Sequence, residues 1–199
     1  MRVLFIQHAP DIGGSARSLR LLLEDGLREG WEVFVVVRSE KMKHYYAQLL
    51  PPAQIAVVGT LPTFDHHSAH TFQRSARGAA RIAYRLLQLV PSLLAIRRLI
   101  RRIGPDILYL NSSVLIPYLP GLPASRIPCV VHVRERVAAG AMAGWFRRLV
   151  QRHASLVVYI SPAEQRDFPV ERPRAEVVYN YIRSPRAAGV QAGFHSPLR

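Results

Sequence analysis

Short unbroken apolar runs alternate along the chain with longer stretches of helical spacing. Val3-Leu4-Phe5-Ile6 and Glu32-Val33-Phe34-Val35-Val36-Val37 are runs of strand formers, the pattern of strands buried on both faces of a parallel sheet. Between them, Leu19, Leu22, Leu23 and Leu27 recur at helical spacing from Ser15 to Gly30, so one face is apolar. This predicts a βαβ unit, with the turn Pro10-Asp11-Ile12-Gly13-Gly14-Ser15 at the mouth of its helix. Further strands are expected at Ile55–Val58, Asp106–Leu110, Cys129–Val133, Leu156–Ile160 and Glu176–Tyr179. Helices are expected over Arg38–Leu50, from about Phe72 to Ile103, over Val114–Leu119 and Ala141–His153, and from Ala163. Pro91 is expected to divide or kink the longest of them. The pattern predicts one Rossmann-like, doubly wound α/β domain over residues 1–182, a mainly parallel sheet with helices on both faces. Residues 183–199 show no periodicity and read as an irregular tail.

In open α/β sheets, ligands bind beyond the carboxyl ends of the strands. The predicted strands place Gly13, Gly14 and Ser15 there after the first strand and Arg38 after the second. Asn111, Ser112 and Ser113 follow the fourth, Arg134 and Glu135 the fifth, with His132 near its end, and Ser161 follows the sixth. A glycine turn lets backbone approach a ligand, and a helix N-terminus offers unpaired N–H groups to an anion. The same glycine pair also suits a plain tight turn. A nicotinamide dinucleotide site is disfavoured, because Gly13-Gly14-Ser15-Ala16-Arg17 lacks the G-x-G-x-x-G spacing. Glu135 can act on a hydroxyl as base or orienting group, or pair with Arg134, Arg136 or a nearby helix arginine.

Composition narrows the classes. The chain of 199 residues is 49% hydrophobic, which rules out a disordered polymer. A single cysteine, Cys129, forms no internal disulfide and sits in an apolar run, so a buried role and a reducing cytoplasm are expected. The first apolar run is too short for a secretory leader. Leu86 to Ile96 is broken by Gln88, Pro91 and Ser92 and falls well short of the ~20 residues of a membrane span. The charge is the unusual feature: 27 Lys+Arg against 13 Asp+Glu, formally +14, a surface that attracts polyanions. Arg77, Arg81 and Arg85 recur at four-residue steps, and Arg98 and Arg102 repeat the step beyond Pro91. With Leu89 and Leu93 as apolar flank, this is either a core-facing helix with a solvated face or a surface resting on anionic lipid. No recognition-helix or RNA-binding signature accompanies the charge, so nucleic acid is not an expected partner. Asp65, His66, His67 and His70 fit a loop better than a zinc site, having no second ligand pair, and no metal is expected.

The ordered set Met1–Ile6, Gly13-Gly14, Gly30-Trp31-Glu32-Val33, Gly104–Asn111, Val131–Glu135, Val157–Ser161 and Val177–Asn180 resembles the N-terminal domain of a GT-B glycosyltransferase of the family-4 type. The resemblance covers about residues 1 to 182. It implies two Rossmann-like domains with the active site between them, the first holding the acceptor and the second the nucleotide-sugar. It also implies a reaction that retains configuration and needs neither metal nor a separate cofactor. Gly13, Gly14 and Ser15 would face donor phosphates and acceptor. Arg38, Asn111, Ser112, Arg134 and Ser161 would line the acceptor side, with Glu135 and His132 as catalytic candidates. Two departures stand out: Arg134, where the family often has histidine, precedes Glu135, and Asn180-Tyr181 replaces the usual Asn-Gly. No donor-binding glutamate pair follows, so the chain by itself is expected to be inactive. The expected partners are a nucleotide-sugar donor bound through a second domain, a glycan or lipid-linked acceptor, and an anionic membrane at the cytoplasmic face. The alternative is a non-catalytic Rossmann-like module that binds anionic membrane or polyanion.

Overall fold

The computed structural model describes residues 1–61, 76–124, 126–137 and 139–180. The elements follow in order β1 (Arg2–Ile6), α1 (Gly14–Arg28), β2 (Glu32–Val37), α2 (Glu40–Tyr46), β3 (Ile55–Val57), α3 (Ala76–Ile103), β4 (Ile107–Leu110), a 3-10 turn (Ser113–Gly121), β5 (Cys129–Val133), α4 (Ala141–His153), β6 (Leu156–Tyr159), α5 (Pro162–Asp167) and β7 (Arg174–Val177). The strands form one sheet in the order β3-β2-β1-β4-β5-β6-β7, and every pairing is parallel. Parallel neighbours put all carboxyl ends on one edge. The loops carrying Gly13, Arg38, Asn111, Arg134 and Ser161 therefore share that edge. The strand order reverses between β1 and β4, which leaves a crevice there.

Each face has its own core. On one side α1 and α2 bury Leu19, Leu23, Met42 and Tyr46 against Val3, Phe5, Val33 and Val35. On the other, α3, the 3-10 turn, α4 and α5 bury Ile96, Ile100, Tyr118, Phe146 and Phe168 against Leu4, Ile6, Leu108, Val131 and Tyr159. Alternation along each strand sorts these residues to the two faces, and each large side chain so buried contributes about 1.5–3 kcal/mol. Cys129 is fully buried, and desolvation raises its thiol to about 12.

Three expectations are corrected, and a fourth takes a more specific form. Pro91 does not divide the long helix, and α3 runs through it. Ser92 follows it with its Oγ turned back on the same helix, donating to the Gln88 and Leu89 carbonyls at 3.0 and 2.9 Å. The helix after β2 is Glu40–Tyr46, starting where Ser39 caps it by accepting from Met42 N. The short helix expected over Val114–Leu119 is present, as part of the 3-10 helix Ser113–Gly121, its type set by Pro117 and Pro120, which disrupt the α ladder. β7 lies two residues earlier than expected, because its register with β6 is set by Leu156 opposite Arg174. The histidine loop and the tail beyond residue 180 lie outside the described residues.

Candidate acceptor cleft at the switch point

A chain of side-chain amides ties the crevice together. Asn111, just past β4, donates from Nδ2 to Gln7 Oε1 at 2.8 Å and to the Ser15 carbonyl at 3.4 Å. Gln7, just past β1, donates from Nε2 to Ser15 Oγ at 3.3 Å. Gln7 and Asn111 are both fully buried, so their amides need these partners. Together they fix the start of α1 over the ends of two strands. Arg134, past β5, donates to Asn111 Oδ1 at 3.4 Å and to Asn180 Oδ1 at 3.3 Å, and Ser18 donates to the same Asn180 oxygen at 2.9 Å. Gln7, Arg17 and Ser18 were not singled out from sequence. The position of Gln7 directly after the first apolar run was the available signal.

Beside this network lies a cleft of about 560 Å³, lined by Gly14, Ser15, Arg17, Ser18, Leu21, Arg134, Glu135, Ile160 and Asn180. Gly13 caps α1 without a side-chain hydrogen bond, and no acidic residue occupies the first turn. The cleft thus collects the positive end of a 15-residue helix and two guanidinium groups, an arrangement receptive to an anion. A Cβ built on Gly13 or Gly14 would meet nothing within 4 Å, and neither has positive φ. The glycines leave open space in the cleft and relieve no strain in the chain.

Arg134 is half-buried. Burial lowers its pKa from the ordinary value, opposed by Tyr109, Glu135 and Tyr46. Glu135 is anchored at the same edge. Ser112 Oγ donates to Oε1 at 2.7 Å, while Ser113 Oγ and N–H donate to Oε2 at 2.8 and 3.3 Å. Among the described residues no arginine forms an ion pair with Glu135, the alternative read from sequence, and Arg136 pairs with Asp167 at 2.7 Å.

His132 and Arg134 line the same smaller pocket of about 90 Å³, together with Tyr109, Leu21, Leu22 and Val158. The Tyr109 hydroxyl and His132 Nδ1 are 2.8 Å apart, while the buried Nε2 has no partner among the described residues. Burial, and secondarily Arg134, lowers the imidazole from 6.5 to about 3. His132 is therefore neutral near neutrality and does not supply a proton there. Its folded pKa lies below its unfolded one, so the unfolded chain takes up the proton first as pH falls. The stability it contributes is complete above about pH 6.5 and is lost towards pH 3, by at most about 1.4 kcal/mol per pH unit. Melting temperatures from pH 7.5 to 4.5 are expected to fall less steeply in His132→Gln than in the parent, and equal slopes would contradict this account.

Other expected site residues lie on the same edge outside this cleft. Arg38 is half-buried beside Tyr118. Ser112 caps the 3-10 turn by accepting from Val114 N at 3.2 Å. Ser161 caps α5, accepting from Ala163 N and hydrogen bonding to Glu164. On α3, the side chains of Arg77 and Arg81 lie outside the described residues. Arg85 is half-buried and engaged. Successive four-residue steps rotate about 40° around a helix, so this ridge turns into Leu89 and Leu93, which pack against the core. Arg98 and Arg102 lie apart from it, exposed beside β3.

An all-parallel sheet with a cleft at its switch point defines a Rossmann-like module. The chain is similar to MurG of Acinetobacter baumannii, at 15% identity and a TM-score of 0.55 over 91% of this chain and 46% of that one. It is similar to sucrose-phosphate synthase of Thermosynechococcus elongatus, at 13% and 0.59 over 89% and 47%. It is also similar to the spinosyn rhamnosyltransferase SpnG, solved with thymidine diphosphate, at 18% and 0.57 over 89% and 49%. These likenesses show the fold, and the chain spans about half the length of these three. Comparison with curated proteins finds no match in sequence. The model of the glycosyl transferase 4-like domain matches residues 13–181, and the chain belongs to that family.

Proposed function

We propose that the chain is the acceptor-holding half of a cytoplasmic glycosyltransferase. It moves a sugar, with retention of configuration and without a metal ion, from a nucleotide-sugar to a glycan or lipid-linked acceptor. The observation that carries this reading is the anion-receptive cleft at the switch point with Glu135 on its wall. The N–H groups at Gly13, Gly14 and Ser15 face the donor phosphates. Arg134 holds a negative oxygen of donor or acceptor, aimed by Asn111 and Asn180. Glu135, held by Ser112 and Ser113, orients the acceptor hydroxyl. His132 acts on the site by positioning Tyr109 and packing beside Arg134, and Arg38 and Ser161 belong to the rim. The donor nucleotide and the donor-binding glutamates belong to a second domain, so residues 1–199 alone are expected to show neither transfer nor donor hydrolysis. Assays of this chain, alone and fused to a donor-binding domain of the same family, with labelled nucleotide-sugars test the division. Robust turnover by 1–199 alone would overturn it.

A further inference from the structure

The outward face of α3 carries two different surfaces in succession. Tyr84, Leu87, Val90 and Leu94 are 60%, 73%, 60% and 46% exposed. At 100° per residue they fall within one sector of the helix and form a stripe about 15 Å long. One turn further on, the same sector carries Arg97, Arg98, Arg101 and Arg102, all exposed, with Arg126 beside Arg97 and Arg101. Among the described residues none of these five arginines has an ion pair. The opposite side of the helix is the core-facing one, through Ser92, Ile96 and Ile100. Single exposed apolar residues are ordinary, but a contiguous stripe marks an interaction surface.

We propose that this face of α3 docks on an anionic lipid surface, with Tyr84, Leu87, Val90 and Leu94 in the boundary between headgroups and acyl chains and the arginine cluster on lipid phosphates. Charge complementarity selects this occupant. A wholly apolar partner would leave the adjoining guanidiniums unmatched, whereas a bilayer offers an apolar layer and a sheet of anions side by side. Arginine stems are long enough to lie along the apolar layer while their heads stay at the phosphates. The contact differs from the Arg77–Arg81–Arg85 stripe expected from sequence, because Leu89 and Leu93 on that ridge belong to the core. The geometry also has an orientation. The C-terminal end of α3 feeds the amino end of β4, so the apolar stripe, which lies N-terminal to the arginine cluster, stands nearer the carboxyl edge that holds the cleft. The docking surface stands independently of the glycosyltransferase reading. Only its use, presenting the cleft to an acceptor anchored in the same membrane, rests on that reading.

The test is co-flotation of the full 199-residue chain with phosphatidylcholine vesicles, with and without phosphatidylglycerol. The parent should bind the anionic vesicles at low salt and bind neutral ones weakly. Leu87→Ser, Val90→Ser and Leu94→Ser together should reduce binding about tenfold or more and remove whatever survives high salt. Reversing Arg98, Arg101 and Arg102 to glutamate should prevent binding, while reversing Arg152, Arg166 and Arg172, exposed elsewhere, should change it far less. These side chains are at the surface, and circular dichroism verifies that the variants fold. Because Cys129 is buried, Leu87→Cys can be labelled selectively with an environment-sensitive dye, whose emission should shift to the blue on anionic vesicles. Parent-like binding by the serine variant, or equal losses in the two reversal variants, would mean diffuse charge attraction and overturn the proposal. So would sedimentation showing a dimer that the serine variant dissolves while vesicle binding is unaffected, since the occupant would then be a second copy.

Discussion

On the proposed function, Gly14→Val is expected to fold normally and lose transfer by about 10²–10³-fold when the chain is fused to a donor-binding domain of the same family, the scale of losing preorganised N–H contacts to a developing anion. The fold is expected to persist because a Cβ at this position meets nothing within 4 Å and the backbone carries no positive φ. Valine is also no worse than glycine as a helix residue. The loss comes from the cleft side, where branched methyl groups would occupy the space through which a phosphate reaches the first N–H groups of α1. Gly14→Ala, with one methyl, should lie between. The measurements are kcat/KM and thermal melting on the same preparations. Normal activity with normal melting would reduce Gly13-Gly14 to a turn without a ligand.

Arg134→Met is expected to cost about 10²-fold in kcat/KM, as a charge-assisted contact that positions the reacting groups is removed, while leaving the melting temperature unchanged or raised. The two effects separate because the half-buried guanidinium is held by two amide oxygens and has no ion pair among the described residues. Replacing such a charge by an apolar side chain of similar length relieves its desolvation. Arg134→Lys should not restore activity, since an ammonium cannot span Asn111 and Asn180 with a planar fork. On the 199-residue chain alone, inorganic pyrophosphate should raise the melting temperature of the parent and not of Arg134→Met. Equal stabilisation of both would show that Arg134 does not hold the anion.

The strands and the glycine turn were legible because their signals are local. An apolar run such as Val3–Ile6 has nowhere to go but a buried strand, and Gly13-Gly14 between strand and amphipathic helix marks a turn at a helix mouth. The position of Arg134 after β5 was legible for the same reason. Its partners were not, because Asn111 and Asn180 come from the segments after β4 and β7, 23 and 46 residues away in sequence. Gln7 carried no signal beyond its position, and its role appears only when β4 pairs beside β1 and brings Asn111 within 2.8 Å. On α3 the phase of the apolar residues was not legible: Leu89 and Leu93, expected as an apolar flank beside the arginines, pack against the core, while Leu87 and Leu94 turn outward.

The sequence by itself determined the alternation of strands and helices, the parallel sheet that alternation forces, and the edge on which polar loops collect. Those follow from periodicity and from the length a crossover needs. Tertiary structure decided which loop residues meet, which face of α3 the core takes, and whether a charged group is paired or buried. Each of these depends on contacts between residues far apart in the chain, and a local pattern of polar and apolar positions does not encode them.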